Sequence, residues 1–349
     1  PSLYASIGAP VPSDDEAKRN TNTPVRRMRK RKVKIYNKKK GQKTGLLFAL
    51  WYSLSVAYNI YSKKILNMAP ELAWTAAWAQ MAFGLLYLLP IWATGVRDKP
   101  ELKQKDIRRL LPVAFLHSLV HVGGVVSMGA GAVSFTYIVK ATEPAVSAVL
   151  SALILKFYLP VPVYLTLLPV ISGVSLASVS ELSFSWKAFN YAMMSNVASA
   201  SRGIVSKKTM NQRIGKNLNA MNLYGVMTIM ATMIILPVAF CLEGSLWGSS
   251  IRRLKEAGQL TAFMGQLLLC SLTYYTYNEM SFMALDNIAP VSHAIASTLR
   301  RVFIIATSMI VFGNKLTPMG MFGSILAVGG AFLYSTAKNH YNEKRNQKK

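Results

Sequence analysis

Long apolar stretches alternate with short polar and charged segments along most of the chain. Ten stretches reach the roughly 20 residues that a helix needs to cross a bilayer. They cover residues 46–66, 71–95, 110–128, 132–155, 161–180, 188–206, 217–241, 259–283, 288–312 and 316–337. Prolines lie at or near the start of several stretches, which is typical of helix N-termini; these are Pro70, Pro160, Pro290 and Pro318. The pattern predicts an all-α integral membrane protein with ten transmembrane helices.

The basic residues support this layout. Ten spans place both tails on one side, and that side carries 29 lysines and arginines against seven on the other. Such an asymmetry is typical of membrane proteins. We predict a disordered basic tail over residues 1–44 and a second basic tail over residues 338–349. Because most of the net charge of +26 flanks apolar spans, we interpret it as contact with anionic membrane lipid, and not with nucleic acid.

Composition narrows the class of protein further. Hydrophobic residues make up 52% of the chain and charged residues only 15%, which favours a membrane protein. The two cysteines, Cys241 and Cys270, are too few for a disulfide framework or a cysteine metal site. The sequence has no nucleotide-binding fingerprint and no catalytic triad pattern. We therefore predict a protein that is not an enzyme and that uses no cofactor and no metal.

A weak internal repeat suggests two halves. Val133-Ser134 and Pro160 recur 158 residues later as Val291-Ser292 and Pro318. The halves would be residues 45–180 and 181–337, with five spans each. An odd number of spans inserts the second half upside down relative to the first, as in many secondary transporters with a binding site between the halves.

Six charged residues lie well inside the predicted spans, away from their ends, although an arginine at a helix centre costs roughly 2.5 to 3.5 kcal/mol there. The cations are Lys140, Arg202, Arg300 and Arg301, and the acids are Glu143 and Glu279. This surplus of positive charge predicts an internal site for an anion of about two charges. Phosphate or a phosphate monoester fits, and so would sulfate or a dicarboxylate.

Each of these residues also has a purely structural interpretation. Lys140 and Glu143 share a helix face and could neutralise each other, or Glu143 could balance Lys140 only while the site is empty. Arg202 could extend toward the interface or bind the anion. Arg300 and Arg301 point about 100 degrees apart on a helix, so one of them could instead pair with Glu279.

Two histidines and one tyrosine extend the predicted site. His117 and His121 are four residues apart, a spacing that could chelate a metal, but no other ligand is nearby in the sequence. We favour hydrogen bonding in a polar cavity for them. Tyr277 stands two residues before Glu279, and the two could frame the mouth of a cavity.

Several motifs closely resemble the plastid phosphate translocators, the triose-phosphate/phosphate translocator family within the drug/metabolite transporter superfamily. The resemblance runs from about Trp51 to Lys338. The motifs are Ala132-Val-Ser-Phe-Thr-Tyr-Ile-Val-Lys-Ala-Thr-Glu-Pro144, the run from Gly173 to Trp186, Arg202-Gly-Ile-Val-Ser-Lys-Lys208, Tyr277-Asn278 and Phe312-Gly-Asn-Lys-Leu-Thr-Pro318.

The resemblance implies a ten-helix inverted-repeat antiporter in the inner envelope membrane of a plastid, either a chloroplast or a non-photosynthetic plastid such as an apicoplast. By position, Lys140, Arg300 and Arg301 match the phosphate-binding residues of the family, and Arg202 matches a basic residue of the same cavity. His121 and Tyr277 match positions that contact the carbon part of the substrate. The family usually has Lys-Arg at 300–301 and a small hydroxyl residue in place of Gly124.

The predicted function is exchange of inorganic phosphate for phosphorylated three-carbon metabolites by alternating access: triose phosphate, 3-phosphoglycerate or phosphoenolpyruvate. Glu143 and Glu279 are candidates for gating or charge balance. A hexose-phosphate or nucleotide-sugar exchanger is an alternative, and a membrane enzyme acting on a phospholipid is a more distant one. A monomer would suffice for transport.

Overall fold

The computed structural model describes residues 24–181, 184–210, 214–287, 290–313 and 317–347. Within these ranges nearly all residues are helical, and the only β-pairing is an isolated bridge between Glu101 and Lys216. The all-α prediction is therefore confirmed for the described part of the chain.

The helices follow one another with short connections. They are α1 (Pro24–Met68), a 3-10 turn (Pro70–Leu72), α2 (Ala73–Ala93), α3 (Gln104–Ala130), α4 (Val133–Lys140), α5 (Glu143–Leu155), α6 (Val161–Leu165), α7 (Leu168–Val179), α8 (Trp186–Met210), α9 (Ala220–Glu256), α10 (Leu260–Asn287), α11 (Pro290–Phe312) and α12 (Pro318–Gln347).

Each of the ten predicted spans falls on one of these helices or on a consecutive pair of them. By length and hydropathy, seven described segments are long and apolar enough to cross a membrane: Pro70–Ala93, Gln104–Ala130, Val133–Leu155, Val161–Val179, Ala220–Glu256, Ile295–Phe312 and Pro318–Arg345. The chain is thus a helical integral membrane protein, and the count of ten spans stays a prediction.

The helix ends differ from the predicted ones in three places. Residues 24–44 of the predicted disordered tail belong to α1, and residues 1–23 lie outside the described part of the chain. The predicted connection 242–258 is helical as far as Glu256, because Glu243 and Leu254 are buried against other helices and extend α9 beyond its apolar run. Most of the predicted C-terminal tail continues α12 to Gln347.

Small residues allow the helices to pack closely. A Cβ atom on Gly123 of α3 would lie 2.7 Å from the backbone oxygen of Tyr191 on α8. Gly173 of α7 and Gly323 of α12 face each other equally closely. Such contacts are typical of membrane helices, whose association relies on close packing. Among other pairs, α2 packs against α9, α4 against α11 and α7 against α12.

Candidate functional site

A cavity of about 550 Å³ lies among α1, α3, α4, α5, α8, α10, α11 and α12. Its lining includes eight of the nine residues predicted from the sequence: Lys140, Arg202, Arg300, Arg301, His121, Tyr277, Gly124 and Glu143. These residues come from six helices, which span the sequence from α3 to α11. The fold therefore brings nearly all of the predicted site residues to one place.

The cavity contains a helix break caused by Pro144. Proline has no backbone N–H and its ring clashes with the carbonyl four residues earlier, which here belongs to Lys140. Helix α4 ends at Lys140 and α5 begins at Glu143. Asn196 of α8 donates from Nδ2 to the Val139 carbonyl at 3.0 Å and to Thr142 Oγ1 at 2.9 Å, which holds the break in place.

The Arg301 side chain, which comes from α11, contacts the C-terminal end of α4. Its Nη1 donates to the Lys140 carbonyl at 2.7 Å, replacing the donor that Pro144 lacks, and its Nη2 forms an ion pair with Glu143. Ser199 donates a hydrogen bond of 2.5 Å to the other carboxylate oxygen of Glu143. Lys140 and Glu143 therefore do not simply neutralise each other, because Arg301 is the cation that contacts the Glu143 carboxylate.

The neighbouring Arg300 has a different environment. Its guanidinium carbon lies 5.5 Å from the ring centres of both Trp51 and Tyr277, and its Nη1 donates to Ser55 Oγ at 2.6 Å. Aromatic faces attract a cation without neutralising it. Arg300 makes no ion pair among the described residues, so a bound anion at Arg300 displaces no protein carboxylate.

Lys140 points toward α8 and the other cations. Its Nζ donates to Ser195 Oγ at 2.8 Å, and Ser195 in turn donates to the Val120 carbonyl at 2.8 Å. The Lys140 ammonium also interacts electrostatically with Glu143 and with all three arginines of the cavity. Repulsion among these four cations favours an anion between them.

The two histidines of α3 have separate protein partners. Arg202 Nη1 lies 2.7 Å from His117 Nδ1, and His121 Nε2 lies 3.1 Å from the Ala77 carbonyl. The two rings bond different protein groups. The described residues hold no group of three or more His, Cys, Asp or Glu side chains that could bind a metal ion.

Glu279 is the one predicted site residue that the cavity does not include. Its fully buried carboxylate forms an ion pair with Arg97, from the connection between α2 and α3. The predicted pairing of Glu279 with Arg300 or Arg301 is therefore wrong. With the histidines neutral, the described cavity lining has five cations, including Lys338, against the single carboxylate of Glu143. The positive surplus is larger than the sequence suggested.

Lining residues extend toward the end of the bundle where α10 ends and α11 begins, and they include Ser281 and His293. Polar contacts crosslink the helices at the opposite end. Lys63 Nζ donates to the Met128 and Gly131 carbonyls at 2.9 Å each. The lining thus reaches the end formed by α10 and α11, and the bonds of Lys63 tie α1 to the end of α3 at the opposite end.

Two carboxylates contribute most to these crosslinks. Glu71, in the 3-10 turn, pairs with Arg253 of α9 at 2.5 Å. Glu243 of α9 accepts hydrogen bonds from the backbone N–H groups of Trp74 and Thr75 at 3.0 and 2.7 Å. The Glu243 carboxylate thus satisfies two of the first N–H groups of α2 and interacts favourably with its dipole.

Comparison with known proteins gives the family. The model of the Triose-phosphate Transporter family matches residues 42–335. The chain belongs to this family. As a Triose-phosphate Transporter family member it is a transporter and not an enzyme, and the polar cavity inside its apolar helices is consistent with this class.

Plant relatives of the family are similar over most of their length. The glucose-6-phosphate/phosphate translocator 2 of Arabidopsis thaliana is 38% identical over 298 residues, which are 85% of this chain and 75% of the relative. The triose phosphate/phosphate translocator of Flaveria pringlei is 37% identical over 304 residues, with coverages of 86% and 73%. The xylulose 5-phosphate/phosphate translocator of Arabidopsis thaliana is 35% identical over 301 residues, with coverages of 86% and 71%. All three are chloroplastic proteins.

Proposed function

We propose that the protein exchanges inorganic phosphate for phosphorylated three-carbon metabolites, such as triose phosphate, 3-phosphoglycerate or phosphoenolpyruvate, across the inner envelope membrane of a plastid. The observation that carries the proposal is the convergence of Lys140, Arg202, Arg300 and Arg301 on one cavity whose described lining has a single carboxylate. Relatives named as phosphate translocators support phosphate as one exchanged species.

The contacts of Arg300, Lys140 and Arg301 suggest a different role in phosphate binding for each residue. Arg300, held between two aromatic rings, and Lys140, held by a serine hydroxyl, bind the phosphate group first. Arg301 joins them by exchanging its bond to Glu143 for one to the phosphate. Arginine and lysine both suit this task, because a guanidinium binds two phosphate oxygens at once and an ammonium acts as a point charge.

Charge explains why transport is an exchange. An empty cavity with a large positive surplus resists closing, because burying unpaired charge costs several kcal/mol per ion. A phosphate dianion offsets part of the surplus and stabilises the closed form relative to the open ones. The empty carrier therefore returns slowly, and each crossing needs a bound anion.

The two predicted halves, residues 45–180 and 181–337, are part of this proposal. A two-fold relation between them would map the pairs α2 with α9, α4–α5 with α11, and α6–α7 with α12 onto themselves. Members of each pair pack against each other, which supports the assignment. The cavity extends toward the end of the bundle where α10 meets α11, and we infer that the contacts of Glu71 and Glu243 at the other end separate when access alternates.

Counter-exchange in liposomes tests the function. Protein reconstituted with internal phosphate should take up labelled phosphate, triose phosphate and 3-phosphoglycerate, and vesicles without internal substrate should take up little. Equal uptake into empty vesicles would contradict exchange. Glucose 6-phosphate, xylulose 5-phosphate and a nucleotide sugar complete the panel, because relatives named for the first two make a hexose- or pentose-phosphate exchanger the second candidate.

The proposal also covers the oligomeric state of the protein and its contact with lipid. We infer that a monomer suffices, because the helices of a single chain surround the cavity. The basic N-terminal segment would meet anionic lipid at the membrane surface.

A further inference from the structure

A second cavity, the α5–α7–α8 groove, lies apart from the phosphate site and has a volume of about 860 Å³. Its described lining is apolar or aromatic except for the hydroxyl groups of Thr142, Ser175 and Ser178. The lining includes no lysine, arginine or carboxylate, so a phosphorylated metabolite has no partner there. The groove therefore suits an apolar ligand, which differs in chemistry from the transported anion.

The groove is formed by continuous faces of its helices. On α7 the spacing i, i+3, i+4, i+7 and i+8 marks one side of the helix; the residues are Ile171, Val174, Ser175, Ser178 and Val179. The lining residues from Thr142 to Leu150 at α5 have the same spacing. Val149 is 55% exposed and Val179 is 82% exposed. The described part of the chain therefore leaves these two apolar faces open.

The groove begins at the crosslinked end of the bundle, where Lys63 bonds the end of α3. Ser127 of α3 donates to the Ala188 carbonyl at 2.8 Å, which places the first residue of α8, Trp186, at this end. From Trp186 to Val197, the last lining residue of α8, the helix rises about 16 Å at 1.5 Å per residue. One leaflet of the hydrocarbon core is about 15 Å thick. The groove thus has the length of an acyl chain in one leaflet.

Aromatic rings lie at the same end of the groove. Trp186 is 68% exposed, and its ring meets those of Phe184 and Phe189 edge-on, with centroids 5.1 and 5.9 Å apart. Tryptophan is typical of the membrane–water interface. The next residue, Lys187, is exposed, and its long side chain can extend to the phosphate of a lipid headgroup. A phospholipid whose headgroup lies here can extend one chain along the groove.

The groove also reaches the helix break of the phosphate site, from the side away from the substrate cavity. Thr142 lies in this break and lines the groove. Its hydroxyl donates to the Val139 carbonyl at 2.8 Å and accepts from Asn196 Nδ2 at 2.9 Å. The sulfur of Met193, another lining residue, lies 3.4 Å from the same hydroxyl. A chain in the groove therefore packs against the residues that hold the break.

We propose that the α5–α7–α8 groove binds one acyl chain of a phospholipid from the leaflet at the crosslinked end, and that this chain stabilises the helix break. Lipid surrounds the apolar helices of a membrane protein, so acyl chains are always available at the groove. Contacts within the hydrocarbon depend on close packing, and a groove offers a chain more of them than a flat helix face does. The site does not depend on which anion the substrate cavity carries.

Tryptophan substitutions test the site by filling the groove. Ser175→Trp fills it from α7, and Val149→Trp fills it from α5. The matched control is Met233→Trp, because Met233 is 69% exposed on α9 and does not line the groove. Each protein is purified in detergent with palmitoyl-oleoyl phosphatidylcholine, and native mass spectrometry counts the lipids that each chain retains. Thermal unfolding checks that each variant folds, and either groove variant is sufficient for the test.

The unaltered protein and Met233→Trp should retain one phosphatidylcholine more per chain than the groove variants do. Retention in the groove variants at the level of the control would overturn the proposal. The same spectra report the oligomeric state. If the unaltered protein forms dimers that the groove variants lose, a second copy of the chain occupies the groove, and the proposal is wrong.

Hydrogen exchange of the unaltered protein tests the effect on the helix break. The backbone N–H groups of Thr142, Ala145 and Val146 bond to carbonyls within the break, so their exchange reports its opening. Phosphatidylcholine should slow exchange in this segment about threefold to tenfold, and Ser175→Trp should abolish the difference. Residues 225–240 of α9 serve as the internal control and should not respond.

Equal exchange rates with and without phosphatidylcholine would refute the stabilisation of the break. Neither measurement requires transport. A failure of phosphate exchange would therefore leave the lipid site unaffected, and a failure to retain lipid would leave the proposed function unaffected.

Discussion

Arg301 and Glu143 form an ion pair across the cavity although 158 residues separate them in the sequence. The same interval separates Val133-Ser134 from Val291-Ser292 and Pro160 from Pro318. The pair therefore joins matching positions of the two proposed halves. A contact at this place would respond to movement of one proposed half relative to the other, and in the proposed function phosphate competes for the same guanidinium.

Neutralising Glu143 should strengthen phosphate binding and slow transport. In Glu143→Gln, Arg301 no longer has a carboxylate partner, so KM for phosphate should fall roughly threefold to tenfold. The maximal exchange rate should fall by a similar factor, because product leaves a more positive cavity. Initial rates of phosphate homoexchange in liposomes measure both quantities.

The matched control is Glu279→Gln, which removes the other acid well inside the predicted spans but lies outside the cavity lining. It should lower the unfolding temperature, since Arg97 loses its buried partner, and leave KM for phosphate within about twofold. An unchanged KM in Glu143→Gln would contradict the competition between Glu143 and phosphate.

The adjacent arginines should tolerate lysine unequally. Arg301 bonds the Lys140 carbonyl and the Glu143 carboxylate through two different nitrogens, which a single ammonium replaces poorly. We expect Arg301→Lys to reduce kcat/KM for phosphate about tenfold to a hundredfold. Arg300→Lys should stay within about fivefold, because its aromatic neighbours accept an ammonium as well. Similar losses in both variants would remove the distinction between the two roles.

Neighbouring glycines of α3 should differ in their effect on stability. A Cβ atom at Gly123 would lie 2.7 Å from a backbone oxygen of α8, whereas one at Gly124 would be 3.6 Å from the flexible end of Lys140. Gly123→Ala should therefore destabilise the protein by about 1 to 3 kcal/mol, and Gly124→Ala should have little effect. Thermal unfolding of purified protein in detergent compares them, and equal midpoints would show that α3 and α8 can separate freely.

Weakening the crosslinked end of the bundle should make the cavity accessible from that side. Glu243→Gln loses the charge of the hydrogen bonds to Trp74 and Thr75, each of which stabilises the closed end. In a Cys241→Ala background, a cysteine introduced by Thr136→Cys reports access, because Thr136 lines the cavity and is buried. An impermeant thiol reagent applied at this end should label it roughly tenfold faster when Glu243 is replaced.

The reagent applied from the opposite face is the control, and its labelling rate should not increase. Cys270 is fully buried and contributes little background. If Glu243→Gln leaves both rates unchanged, this carboxylate supports only the local structure of α2.

Hydrophobic patterning predicted the helices well because membrane spans have a simple length and composition. It also singled out Lys140, Arg300 and Arg301, since charge within an apolar stretch is conspicuous without any knowledge of the fold. The ends of α9 and α12 were missed, because burial of residues such as Glu243 depends on tertiary contacts and not on local hydropathy.

The ion pairs and hydrogen bonds between charged or polar side chains were the least predictable part of the site. Glu279 looked equivalent to Glu143 in the sequence, but its partner Arg97 lies in the connection between α2 and α3, outside the predicted spans. The pairing of His117 with Arg202 joins residues 85 positions apart. Only the spacing of His117 and His121 on one helix face gave a signal, and it could not reveal the protein partner of either ring.

Pro144 makes the end of α4 depend on a side chain that the substrate also attracts. The Lys140 carbonyl has lost its helical donor, and Arg301 supplies the replacement. In the proposed exchange, Arg301 turns one nitrogen from Glu143 toward phosphate while the other nitrogen still bonds this carbonyl, so movement of the guanidinium would shift the adjoining turn of backbone. Occupancy of the site is thereby converted into a change of helix geometry within the site itself, without a relay of residues to a distant hinge.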